Sequence, residues 1–88
     1  MKIIIWAYPA RLINIQLINS TEQPIDDVPI EEAYVYTNDI IPTIRNMIQL
    51  RKVDEAFVIG PRSFTEHIKE KIENQIPELV VYLGDNDD

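Results

Sequence analysis

Side chains able to do chemistry gather in three places along this 88-residue chain. The first is acidic. Between Leu12 and Ile44 there is no Lys or Arg, while Glu22, Asp26, Asp27, Glu31, Glu32 and Asp39 all lie there. Asp26, Asp27, Glu31 and Glu32 flank a loop with two prolines, and their density invites a calcium reading. The spacing departs from D-x-[DN]-x-[DN]-G, and no glycine supplies the sharp turn. The expectation is a solvated acidic loop and no bound metal.

The second place is the turn "GPRSF", Gly60 to Phe64, between an apolar run and a charged periodic segment. A phosphate site at a helix start needs free backbone amides and usually several glycines. Here there is one glycine, Pro61 has no amide hydrogen, and neither nucleotide-binding glycine motif is matched. Ser63-Phe64-Thr65-Glu66 fits the capping box, in which the serine caps the Glu66 amide and the glutamate reaches back. Architecture therefore accounts for the turn. The alternative is an anion or nucleotide held by Arg62 and Ser63 at the C-terminal edge of parallel strands.

The third is the pair Ser63 and His67, one helical turn apart. Ser63 has a capping role and no acid is placed to orient the imidazole, so a nucleophilic dyad is not expected. His67 reads as an exposed helical residue. With no cysteine, thiolate chemistry and disulfides are ruled out.

The elements that position these groups follow from periodicity. "KIIIWAY", Lys2 to Tyr8, is a continuous apolar run expected as a central strand buried on both faces. "RLINIQLIN" alternates, with Ile13, Ile15 and Leu17 on one face and Asn14 and Gln16 on the other, so the two form an antiparallel hairpin. "EEAYVYT", Glu31 to Thr37, is a third strand. A helix capped by Thr37, Asn38 or Asp39, with Pro42 in its first turn, carries the stripe Ile41, Ile44 and Ile48, widened by Ile40 and Met47, to about Lys52. "EAFVIG" is a fourth strand. Phe64, Ile68, Ile72 and Ile76 mark a second helix, stopped by Pro77. "ELVVYL" is the last strand, and 85–88 are an acidic tail on a single globular domain over 1–84.

The order β-β-β-α-β-α-β predicts an α/β (α+β) fold. Its mixed five-stranded sheet has an N-terminal antiparallel hairpin and right-handed crossovers in the second half. That element order resembles the ribonuclease H-like fold in topology alone. Nucleases of that type carry carboxylates on the first strand and near the fourth to hold two metal ions. Here those strands read "IIIWAY" and "EAFVIG", and Asp54 and Glu55 fall at the wrong end. No two-metal centre is expected.

Trp6, Tyr8, Tyr34, Tyr36 and Tyr82 are many aromatics for this length, and most are expected to pack under helices. Two helices leave one face of the antiparallel half thinly covered, however. Tyr34 and Tyr36 share a face beside the acidic loop, and an aromatic patch rimmed by acids suits protein binding.

The net charge of −7 argues against direct nucleic-acid binding, which needs clustered Lys and Arg. The opening "MKIIIWAYPARL" resembles a signal peptide, but Pro9 and Arg11 cut the apolar run short. No segment is long enough to span a membrane. Isoleucine far outnumbers leucine, as in AT-rich coding sequences of low-GC bacteria and their phages. The reading is a cytoplasmic, non-enzymatic acidic protein without cofactor, acting in the host cytoplasm if phage-encoded. It would bind a partner protein with a basic surface, as a phage-type inhibitor or modulator of a nucleic-acid-binding protein does. Asp26, Asp27, Glu31, Glu32, Tyr34 and Tyr36 are the candidate contact residues, and a homodimer is compatible. The second reading is a small-ligand or nucleotide module using the Gly60–Ser63 turn.

Overall fold

The computed structural model describes residues 1–8, 11–19 and 29–84. Asp26, Asp27 and the acidic tail at 85–88 lie outside the described residues.

The alternation in the sequence becomes strands β1 (Lys2–Trp6), β2 (Ile13–Ile18) and β3 (Glu31–Val35). After a short 3-10 turn (Thr37–Asp39) come α1 (Ile40–Gln49), β4 (Glu55–Ile59), α2 (Arg62–Gln75) and β5 (Val80–Leu83). The sheet order is β3-β2-β1-β4-β5. β2 runs antiparallel to both its neighbours, and β1, β4 and β5 are mutually parallel. The fold class is the expected one, with β1 at the centre. Several boundaries move inward: β1 ends at Trp6, β3 at Val35 and α1 at Gln49, and β5 starts at Val80.

The topology decides where the helices go. β3, β1, β4 and β5 all point the same way, so β3–α1–β4 and β4–α2–β5 are both parallel crossovers. They step across the sheet in the same direction, and crossovers of one hand that do so leave their helices on one face. α1 lies over β2 and β3, and α2 over β4 and β5. The core sits between that face and the helices. Ile3, Ile5, Ile13, Ile15, Leu17, Ala56, Val58 and Val81 come from the strands, and Ile40, Ile44, Met47, Ile68, Ile72 and Ile76 from the helices or their ends. Each fully buried large aliphatic side chain contributes roughly 1.5–3 kcal/mol. Among the described residues no helix is long and apolar enough to cross a membrane.

The start of α2 differs from the capping-box reading. Pro61, not Ser63, stands at the N-cap, and no side chain caps the helix. The Phe64 and Thr65 amides donate to the Pro61 carbonyl at 3.0 and 2.9 Å. Pro61 has the extended backbone of a cap residue, φ −62° and ψ 136°. Helix geometry therefore begins at Arg62, and Ser63 becomes its second, exposed residue. Gly60 is required by packing. Its φ is +153°, and a Cβ there would lie 2.3 Å from the Ala7 carbonyl oxygen.

At the N-terminus of α1, Asp39 does take the cap position, without a side-chain cap bond. The Thr43 hydroxyl donates back to the Asp39 carbonyl at 2.7 Å. The far end of α2 is held from α1, where Arg45 Nη2 donates to the Gln75 carbonyl oxygen at 3.0 Å. That oxygen belongs to the last turn of the helix, whose carbonyls lack intrahelical partners.

Candidate functional site

The face opposite the helices is the principal candidate, and the strand register reads it out row by row. The first row across the sheet is Tyr34–Asn14–Trp6–Ile59. The middle row is Glu32–Gln16–Ile4–Phe57–Tyr82, and the third is Ile18–Lys2–Glu55–Val80. Ile4 and Ile18 are buried, yet neither belongs to the helix-side core. Trp6, Tyr34 and Tyr82 all stand on this face, which corrects the expectation that most strand aromatics pack under helices. They occupy positions out of phase with the inward set Ile5, Ala33 and Val81.

The face divides into two halves. On the β4–β5 side, the Phe57 and Tyr82 rings stack with centroids 5.2 Å apart and planes at 24°. Val80 and Tyr82 are exposed beside them. Lys2 sets its ammonium 5.4 Å from the Phe57 centroid and 4.0 Å from Glu55. This half is apolar and aromatic.

The β1–β2–β3 half is a polar relay. The Trp6 indole N–H donates to Gln16 Oε1 at 2.8 Å. Gln16 Nε2 in turn donates to Glu32 Oε2 at 2.9 Å. Asn14 Nδ2 donates to the same oxygen at 3.0 Å and to the Ala33 carbonyl at 3.4 Å. The Tyr34 hydroxyl adds a 3.4 Å donation to Glu32 Oε2. The Gln16 and Asn14 amides hold the Glu32 carboxyl below its ordinary value of 4.5, against a smaller upward push from desolvation, and the Tyr34 hydroxyl adds least. Hydrogen bonds to the charged form favour it. Glu32 is thus an exposed carboxylate held in place on the edge strand β3.

Glu31 and Glu32, grouped by sequence, part company here because successive strand residues face opposite ways. Glu31 stands on the helix side and accepts from Arg51 Nη1 at 3.0 Å. Tyr34, 64% exposed, stays beside Glu32. Tyr36 lies just past the end of β3, where it leads into the 3-10 turn, and is also exposed. Trp6, Gln16 and Asn14 escaped the sequence reading of the site. The visible signal was the polar pair Asn14 and Gln16 facing away from Ile13, Ile15 and Leu17.

The other candidate groups stay apart. Arg62 and Ser63 are exposed in the first turn of α2, and neither side chain makes a hydrogen bond among the described residues. His67 is an exposed helical residue, as expected. A shallow groove of about 290 Å³ along α2 and β5 is lined by Glu66, Lys69, Glu70, Glu73 and Leu83. Its Lys69 and Glu73 pair at 2.9 Å as helix neighbours, the pattern of a solvated helix face. No family model, curated protein or solved structure matches the chain.

Proposed function

We propose that the protein acts by binding another protein through the sheet face opposite α1 and α2, without catalysis of its own, and that the partner presents a basic surface there. The observation that carries this reading is the continuity of the two halves of that face. An aromatic strip of Phe57 and Tyr82, flanked by exposed Val80, shares the middle row of the face with Glu32, a carboxylate held by three donor contacts from three side chains. Protein interfaces commonly combine aromatic anchors with charged groups toward the rim. The net charge of −7 adds long-range attraction for a cationic partner and speeds encounter. Nucleic-acid-binding proteins are a partner class that carries such surfaces.

The test is affinity capture from a lysate of the source cell with three baits: the wild type, a sheet-face variant (Val80→Lys with Tyr82→Lys) and a helix-face variant (Asn74→Lys). A partner held by wild type and Asn74→Lys but lost from the sheet-face variant supports the reading. A partner held by the sheet-face variant and lost from Asn74→Lys overturns it.

A further inference from the structure

The relay on the β1–β2–β3 half uses only part of its acceptor capacity, and what remains has a definite shape. Glu32 Oε2 receives Gln16, Asn14 and Tyr34, which exceeds its two lone pairs. Glu32 Oε1 accepts no hydrogen bond among the described residues. The Asn14 side chain makes both its hydrogen bonds as a donor, so its Oδ1 accepts none among the described residues. Two acceptors on adjacent strands therefore stand without a hydrogen bond among the described residues, with their orientations set by the same amide. In the first row of the face, Asn14 lies between Trp6 and Tyr34. The Tyr34 hydroxyl contact to Glu32 lays that exposed ring beside the carboxylate.

We propose that this is a subsite for an arginine side chain of the partner, its guanidinium bonded to Glu32 Oε1 and Asn14 Oδ1 and stacked against the ring of Tyr34. The subsite rests on the sheet-face reading above and adds the residue type recognised. Charge complementarity selects a cation. A guanidinium presents five donors in one plane, so it meets two separate acceptors at once and still offers a flat surface to an aromatic ring. An ammonium is a compact, strongly hydrated charge that gains less from the ring and cannot match the planar fork. A metal ion finds no site here, because no three His, Asp or Glu groups converge among the described residues.

The experiment is an NMR titration of the ¹⁵N-labelled full chain at low salt with N-acetyl-arginine amide and, separately, N-acetyl-lysine amide. The arginine probe should shift the Trp6 indole N–H and the Asn14 and Gln16 side-chain amides, reaching half-saturation at a concentration at least about fivefold lower than the lysine probe. Glu32→Gln, which keeps the shape of the side chain, should abolish the response. Tyr34→Ala, at an exposed edge-strand position, should bring the two probes to parity. Equal response to both probes in the wild type, or an arginine response unchanged in Glu32→Gln, overturns the subsite. The capture experiment separates the two ideas. An absent arginine preference with the partner still lost from the Val80→Lys/Tyr82→Lys bait removes the subsite alone. An intact arginine response with capture indifferent to that bait removes the docking reading and leaves the guanidinium site standing.

Discussion

The indole N–H of Trp6 and the side-chain oxygen of Gln16 meet at 2.8 Å across the β1–β2 pair. The contact is diagonal, since Gln16 is in register with Ile4 and Trp6 with Asn14. It satisfies a half-buried donor on a sheet face and turns the Gln16 amide so that its nitrogen aims at Glu32 on the next strand. One amide group thus links a central strand to an edge strand.

Gln16→Leu should therefore do two things. It leaves the Trp6 N–H without its partner and removes one of the donors to Glu32. Losing a hydrogen bond and stranding a partly buried polar group costs about 1–2 kcal/mol, readable as a shift in the denaturant midpoint at constant slope. An unchanged midpoint would mean that water replaces the amide at no cost.

Glu32 should titrate below 4.5, the ordinary value of its carboxyl. Because the folded value is depressed, the stability it contributes is present above the unfolded value and is lost as pH falls through the folded one. Tyr34 is the one titratable side chain hydrogen-bonded to it among the described residues. Carboxyl ¹³C titration should show the lowered midpoint in the wild type and its return toward 4.5 in Gln16→Leu. A midpoint at or above 4.5 in the wild type contradicts the relay.

Ser63→Ala should change stability by no more than about 0.5 kcal/mol, the usual range for a surface position away from special features. Ser63 is the second residue of α2 and its hydroxyl caps nothing. A measured loss of about 1 kcal/mol, the typical value for a serine N-cap, would reinstate the capping box.

Gly60→Ala should cost about 3 kcal/mol, toward the upper end of overpacking effects. The new methyl meets the backbone oxygen of Ala7, which cannot swing aside as a side chain would, at a φ that L-residues rarely adopt. Thermal melts of the two α2-entry variants, side by side, give the contrast directly: a tolerant Ser63 and an intolerant Gly60.

Arg45→Ala should destabilise by about 0.5–1.5 kcal/mol through loss of its bond to the Gln75 carbonyl. Hydrogen exchange should quicken in the last turn of α2 more than in α1, since the deleted group serves the partner helix. Equal effects on both helices would argue for lost packing of the arginine stem instead.

The order of the elements was legible in the sequence because it depends on local periods. The alternation through Ile13, Asn14, Ile15, Gln16 and Leu17 has one strand reading, and the isoleucine spacing from Phe64 to Ile76 has one helical reading. Those periods also placed Asn14 and Gln16 on one face. They could not say which face the helices would cover, which residue of β1 would meet Gln16, or that Arg51 would reach Glu31. Handedness and register decide those matters. Two crossovers stepping the same way put both helices on the Ile3–Ile5 side and left Trp6, Tyr34 and Tyr82 on the other. The pairing of β1 with β2 and of β2 with β3 then brought Trp6, Gln16 and Glu32 into hydrogen-bond reach across three strands. Local sequence sets which side of its own strand a residue takes. Only the assembled sheet sets what stands beside it, because hydrogen-bonded neighbours in a sheet are distant in the chain.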